Sequence, residues 1–188
     1  ELYSKPVPIH LGVEVMRFFC QSGVHYHCYF GDRLCMEALS EEGRQYADLA
    51  GVEPVILPDL IARAKHEASY KILAVVEDEN AIVQMEKELK KRYKSRLNIT
   101  RSKSHFLEVM HPRATKGCAL EVVAGHYGIS RDDVMALGDS YNDLAMIEWA
   151  GLGIAMGNAR DEVKRAADYV TYSNEEEGVA EALYKFVI

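Results

Sequence analysis

The chain has 188 residues, of which 48% are hydrophobic and 27% are charged, and its net charge at pH 7 is −7. This balance is typical of a globular protein with one large or two small domains, and the acidic charge argues against a nucleic-acid-binding surface. No apolar run reaches the length of a membrane-spanning helix, and the first residues do not resemble a signal peptide.

The first 107 residues carry the pattern of a mixed α+β unit. After an extended start that ends near Pro8, hydrophobic residues at helical spacing predict a helix over 9–20, and strict alternation predicts a strand over 24–30. Further predicted elements are strands at 33–37, 55–57, 71–77, 98–101 and 105–110, and helices at 40–50, 59–68 and 80–96. This order predicts a mainly antiparallel sheet with helices.

From Thr115 onward, predicted helices and strands alternate regularly. The helices are predicted at 115–127, 142–150, 160–167 and 176–186, and the strands at 133–138, 152–156 and 169–171. Such alternation predicts a parallel sheet with crossover helices. We therefore divide the chain into a linker, 1–8, an α+β domain, 9–107, and an α/β domain, 108–188.

An acidic loop, Gly138 to Asp143, follows the strand predicted at 133–138. Open α/β sheets bind ligands at the carboxyl ends of their strands, which is where Asp139 is expected. Asp139 and Asp143 are four residues apart, so their carboxylates can converge on a hydrated divalent cation such as Mg²⁺. Asn142 is expected near the N-cap of the next helix. The alternative is an acidic strand-to-helix loop that binds nothing.

Five further motifs flank this loop, one before it and four after it. They are Ala114-Thr115-Lys116-Gly117, Gly151 to Ala159, Val163-Lys164, Ala167 to Thr171 and Glu177 to Ala180. In this order they resemble the carboxyl half of the haloacid dehalogenase superfamily, specifically the Cof-type phosphatases. The core resemblance covers about residues 107–188, and residues 9–107 match the cap that these enzymes insert into their core. The resemblance therefore implies that residues 1–8 are the end of the first core half and the linker to the cap.

The resemblance implies the second half of a Rossmann-like parallel-sheet core plus an α+β cap. It also implies Mg²⁺-dependent hydrolysis of a small phosphomonoester, such as a sugar phosphate, through an aspartyl phosphate. Lys116 matches the phosphate-binding lysine, and Asp139 matches the carboxylate that binds Mg²⁺. Asp143 would support the water shell of the metal or orient Lys116. Asn142 would contact the phosphoryl group or the substrate, and Asn158 could line the same mouth or be a turn residue.

The nucleophile motif of this family, Asp-x-Asp-Gly-Thr, does not occur in the 188 residues. We therefore expect a fragment of a longer protein, and we expect the fragment to be inactive alone. One alternative is a non-catalytic module of the same fold that binds phosphorylated metabolites or regulates. The other is a phosphoryl-transferring pump domain, which Leu144-Ala145-Met146 and the lack of a membrane span disfavour.

Other candidate residues have weaker support. His25 and His27 lie on one predicted strand face, but no third zinc ligand is evident at a known spacing. Cys118 follows Lys116, and the stripe of Leu120, Val123 and Tyr127 predicts that this helix has one buried side. The four cysteines form no C-x-x-C pair, which favours reduced thiols. We expect a cytoplasmic protein without nucleic-acid or membrane partners.

Overall fold

The computed structural model describes residues 1–188 and divides them into two compact units. The antiparallel unit contains residues 5–114, and the parallel unit contains residues 1–4 and 115–188. The boundaries differ from the predicted 8/9 and 107/108. Val7 lies in the core of the antiparallel unit, where its N–H donates to the carbonyl of Ser69 at 2.8 Å, and the last strand of that unit continues to Met110.

The antiparallel unit is one six-stranded sheet with four helices. Its helices are α1 (Ile9–Gln21), α2 (Glu41–Ala50), α3 (Leu60–Ala64) and α4 (Glu79–Tyr93), and its strands are β1 (His25–Phe30), β2 (Arg33–Met36), β3 (Val55–Ile56), β4 (Lys71–Val75), β5 (Asn98–Lys103) and β6 (Phe106–Met110). The strand order is β3-β2-β1-β4-β6-β5, and only the pair of β2 and β3 is parallel. The prediction that β1, β4 and β6 share an antiparallel sheet is confirmed.

The two faces of this sheet have separate cores. The larger core contains side chains of α1, α3 and α4, among them Phe19, Leu60 and Tyr93, all without exposed surface. The smaller core, on the other face, includes Tyr46 of α2. The ring of Tyr46 lies 4.0 Å from the ring of His27 and contacts Phe106 edge-on, so α2 packs on the sheet through aromatic contacts.

A chain of polar contacts joins the start of α2 to β1. The Ser40 hydroxyl accepts the N–H of Gly43 as the N-cap of α2 and is hydrogen-bonded to Nδ1 of His25 at 2.8 Å. Nε2 of His25 shares a hydrogen bond with Nδ1 of His27 at 3.3 Å. His27 has no exposed surface, and its Nε2 has no partner. Burial, reinforced by the charges of His25 and Lys71, lowers the pKa of His27 to about 3.

The parallel unit contains a three-stranded sheet. Its helices are α5 (Lys116–Tyr127), α6 (Leu144–Trp149), α7 (Asp161–Ala166) and α8 (Gly178–Phe186), and its strands are β7 (Met135–Gly138), β8 (Leu152–Ala155) and β9 (Tyr169–Val170). The order is β7-β8-β9 and both pairs are parallel, which confirms the predicted parallel sheet. None of the helices in the chain combines the length and the apolar character needed to span a bilayer.

The buried core of the parallel unit is small, and α5 contributes little to it. The prediction of one buried α5 stripe is wrong, because Val123 is 42% exposed and Tyr127 is 70% exposed. The buried residues of α5 are Gly117 and Ala124. Apolar residues surround this helix on most sides, so their spacing did not specify which side faces inward. Small residues instead allow α5 to lie close to α6.

The buried histidine makes the stability of the antiparallel unit depend on pH. The pKa of His27 is about 3 in the folded chain and near 6.5 in an unfolded chain, so only the unfolded chain binds this proton between those values. The free energy of unfolding therefore has its full contribution from neutral His27 above pH 6.5, and this contribution decreases as the pH falls towards 3. Within this range, the free energy of unfolding should decrease by up to about 1.4 kcal/mol per pH unit.

Urea unfolding at about pH 7.5 and about pH 4.5, followed by the amide NMR signals of β1 and β4, measures this effect. His27→Gln, which does not titrate, should lose less stability between the two pH values than the unmodified chain. His126→Gln, at an exposed position of α5, serves as the control. An equal pH dependence in the unmodified chain and in His27→Gln would contradict the assignment.

Candidate functional site

The acidic loop lies where the sequence predicted it, at the carboxyl end of β7. It forms one turn of 3-10 helix, Tyr141–Asp143, before α6 begins. Ser140 and Asp143 form a capping box, in which each side chain accepts the backbone N–H of the other residue. Asn142 was expected near the N-cap of the next helix, and it lies directly before Asp143, the N-cap residue of α6, whereas Ser140 caps the 3-10 turn. Asn142 lies within the turn, and its side-chain oxygen is buried without a partner.

Asp143 connects the loop to the helix that carries Lys116. Its Oδ1 forms an ion pair with Nζ of Lys116, and its Oδ2 accepts the N–H groups of Asp139 at 3.0 Å and Ser140 at 3.1 Å. The residue is only 4% exposed. Burial acts to raise the pKa of Asp143, but the hydrogen bonds from Lys116 and from the two backbone groups together lower it below its ordinary value. Asp143 is therefore ionised at neutral pH.

Two glycines allow the acidic loop to lie close to β7 and α5 to lie close to α6. A Cβ atom at Gly138 would lie 2.3 Å from Cβ of Asp143, and a Cβ atom at Gly117 would lie 2.3 Å from the carbonyl oxygen of Ala145. Side chains at these positions would therefore push the loop away from β7 and α5 away from α6. The glycines in two of the sequence motifs thus bring Lys116 and Asp143 together.

Lys116 is the first residue of α5, after the N-cap Thr115, whose hydroxyl accepts the N–H of Cys118 at 3.1 Å. Its side chain is 51% exposed, whereas that of Asp143 is 5% exposed. The ammonium group is therefore held on one side by a buried carboxylate and is accessible to solvent on the other. A compact cation held in this way can bind an anion from solution.

Asp139 is exposed and lies beside a second loop of the same sheet. Its Oδ2 accepts the side-chain N–H of Asn158 at 3.3 Å, and Oδ1 of Asn158 accepts the backbone N–H of Asn174 at 3.0 Å. Asn158 thus connects the loop that follows β8 to the loop that follows β7. The structure brings Lys116, Asp139, Asp143 and Asn158 together at one edge, with Asn142 in the same loop.

The site also contains contacts that the sequence interpretation missed. The hydroxyl of Tyr141 donates to Glu162, and the guanidinium of Arg160 lies 5.3 Å from the centre of the Tyr141 ring. The spacing of Ser140 and Asp143 is itself a capping-box signal that could have identified the cap. No comparable signal in the sequence pairs Tyr141 with residues twenty positions away.

The arrangement offers an exposed cation, Lys116, and an exposed carboxylate, Asp139, on two residues that both contact Asp143. The Asp139 side chain has no hydrogen bond other than that from Asn158 and faces solvent, so it can serve as an oxygen ligand. No group of three or more His, Cys, Asp or Glu side chains in the chain is placed to hold a metal ion. Mg²⁺ fits this donor set, because it is commonly held by one or two carboxylates while water and phosphate complete its shell.

A sequence profile of the haloacid dehalogenase-like hydrolases matches residues 2–183. A Haemophilus influenzae protein named as a putative phosphatase is 44% identical over 108 residues, which are 57% of this chain and 41% of that protein. A Bacillus subtilis 5-amino-6-(5-phospho-D-ribitylamino)uracil phosphatase is 44% identical over 113 residues, which are 60% of this chain and 45% of that protein. The chain thus matches less than half the length of these relatives.

Solved structures match nearly the whole chain. A haloacid dehalogenase-like hydrolase from Bacteroides thetaiotaomicron has a TM-score of 0.79 and 32% identity, over 97% of this chain and 68% of its own. A sugar phosphatase described as subclass IIB of the same superfamily has a TM-score of 0.82 and 26% identity, over 98% of this chain and 69% of its own. Both units of the chain therefore have counterparts of known fold.

Gly138→Ala should destabilise the loop, because its Cβ would overlap the Asp143 side chain. Overpacking of this kind costs about 1–3 kcal/mol of unfolding free energy. Gly125→Ala is the matched control, since a Cβ at this position would have no atom within 4 Å and the residue lies in a helix, where alanine is favoured by about 1 kcal/mol. Urea unfolding followed by Trp149 fluorescence compares the two variants. Equal stability of the two variants would contradict the role given to Gly138.

Proposed function

The chain belongs to the haloacid dehalogenase superfamily, in its Cof-type branch, and we propose that the complete protein is a phosphatase that hydrolyses small phosphomonoesters. The observation that carries the proposal is the ion pair between exposed Lys116 and buried Asp143, which also accepts the backbone N–H of Asp139, a residue with an exposed carboxylate. These groups lie at the carboxyl end of a parallel strand, where open α/β sheets bind ligands.

Lys116 is proposed to bind the phosphoryl group. Its ammonium neutralises negative charge on the phosphoryl oxygens, which increases as the bond to the leaving group breaks. Asp143 is proposed to orient this ammonium rather than to coordinate a metal, because both of its oxygens already accept hydrogen bonds. Asn142 is proposed to contact the bound phosphoryl group or the substrate, and Asn158 to hold Asp139 in place.

Asp139 is proposed to hold Mg²⁺. When bound, the ion would supply positive charge that polarises a phosphoryl oxygen. Asp139 suits this role because its carboxylate is exposed and accepts a single hydrogen bond, whereas Asp143 is buried and fully engaged. The side chain of Asn158 restricts the orientation of Asp139, so less conformational freedom is lost when a ligand binds.

The attacking carboxylate is proposed to lie outside these 188 residues. No Asp-x-Asp sequence occurs in the chain, and β7 forms an edge of its sheet, with β8 on one side only. A further parallel strand on the free side of β7 would place its carboxyl end next to Asp139. An edge strand presents unpaired N–H and C=O groups with which a further strand can pair, which is compatible with such an addition.

Assays of the 188-residue chain and of the complete protein against a panel of phosphorylated sugars, with Mg²⁺ present, test this function. The complete protein should release phosphate and the 188-residue chain should not, because an attacking group and its electrostatic partners act as a unit. Asp139→Asn and Lys116→Met in the complete protein should each lower kcat/KM by about 100-fold or more. Asp133→Asn, at an exposed position before β7, is the matched control.

Three results would contradict parts of this account. Phosphate release by the 188-residue chain at the rate of the complete protein would place the attacking group within the chain. Full activity of Asp139→Asn would remove its metal role. Tight binding of phosphorylated sugars by the complete protein without turnover would favour a non-catalytic binding module.

A further inference from the structure

A hollow of about 430 Å³ lies beside the loop that carries Asp139. Five residues line it: Tyr141, Arg160, Asp161, Glu162 and Arg165. Tyr141 belongs to the acidic loop itself, Arg160 directly precedes α7, Asp161 and Glu162 begin that helix, and Arg165 lies in its last turn. Because Arg160 is two residues beyond Asn158, their Cα atoms are at most about 7 Å apart. One lining residue, Arg160, is therefore close in the chain to Asn158, whose side chain contacts Asp139, and another, Tyr141, is two residues beyond Asp139.

The two arginines of this hollow have no carboxylate partner. Neither Arg160 nor Arg165 forms an ion pair, although two acidic side chains line the same space. Glu162 is engaged by the hydroxyl of Tyr141, and Asp161 lies in the first turn of α7. A guanidinium group carries five N–H donors arranged as a planar fork, so both side chains have unused capacity for an anion.

Arg160 is also held in position without losing its donors. Its guanidinium lies 5.3 Å from the centre of the Tyr141 ring, and Tyr141 is itself restrained by its hydrogen bond to Glu162. Packing on an aromatic ring uses the face of the guanidinium and leaves its N–H edge available. Such a group loses less side-chain freedom when an anion binds than a mobile surface arginine would.

We propose that Arg160 and Arg165 form a subsite for a second anionic group on the ligand whose phosphoryl group binds at Lys116. This rests on the proposed function and narrows its substrate class to phosphomonoesters that carry a further carboxylate or phosphate. Both anions accept paired hydrogen bonds from a guanidinium, so the shared chemistry is recognition of a planar or tetrahedral oxyanion. Charge-assisted hydrogen bonds of this kind change affinity by about 10-fold to 100-fold.

Calorimetric titration of the 188-residue chain with three related ligands tests the subsite. Glucose monophosphate lacks a second anion, phosphogluconate adds a carboxylate, and glucose bisphosphate adds a phosphate. At least one of the two doubly anionic ligands should bind about 10-fold tighter than the monophosphate. A preference for phosphogluconate identifies a carboxylate site, and a preference for glucose bisphosphate identifies a phosphate site.

Arg160→Gln and Arg165→Gln should each reduce this preference, and the double variant should abolish it while the affinity for glucose monophosphate stays unchanged. Arg17→Gln, at an exposed position of α1 in the antiparallel unit, removes the same charge and should keep the preference. Circular dichroism melting curves establish that each variant is folded. Equal affinities for all three ligands, including undetectable binding of all three, would overturn the proposal, as would a preference that survives in the double variant.

Failure of the subsite can be distinguished from failure of the proposed function. Phosphate release by the complete protein, without any arginine-dependent preference in binding, would overturn the subsite and leave the phosphatase function standing. An arginine-dependent preference in binding, without phosphate release by the complete protein, would support the subsite and overturn the phosphatase function.

Discussion

The candidate site depends on one buried carboxylate. Asp143 accepts hydrogen bonds from Lys116 and from the N–H groups of Asp139 and Ser140, so it connects α5, β7 and the loop before α6. Burying a carboxylate without such partners would cost several kcal/mol of folding free energy. Asp143 is therefore stable in the one position where all of these hydrogen bonds form. Because Asp143 is engaged in this way, the neighbouring Asp139 is left exposed and available to a ligand.

The two units differ in how their apolar residues are used. The antiparallel unit buries large side chains on both faces of its sheet, whereas the parallel unit has a small core of Ile147, Ala155, Ala159 and Val163. Helices α5 and α8 leave residues such as Val123, Tyr127 and Val179 exposed. Together with the free edge of β7, these surfaces suit the proposal that further polypeptide completes the sheet and supplies the attacking group.

The parallel sheet and the position of Asp139 could be predicted from the sequence, because both follow from simple local patterns of residues. Regular alternation after Thr115 predicted the parallel sheet, and the position of Asp139 after a strand predicted its place at the sheet edge. Other features depend on contacts between distant residues. The side of α5 that faces inward is set by small residues against α6, and the pairing of Tyr141 with Arg160 and Glu162 requires the loops of two strands to meet.

The ionisation of Asp143 tests the central interaction most directly. Carbon NMR of the labelled side chain, titrated with acid in the unmodified chain and in Lys116→Met, reports the pKa of this carboxyl group. The pKa of Asp143 should lie below the ordinary aspartate value in the unmodified chain and should be higher in Lys116→Met, because the effect of burial is then opposed by fewer hydrogen bonds. The same pKa in both proteins would contradict the conclusion that Asp143 and Lys116 form one electrostatic unit.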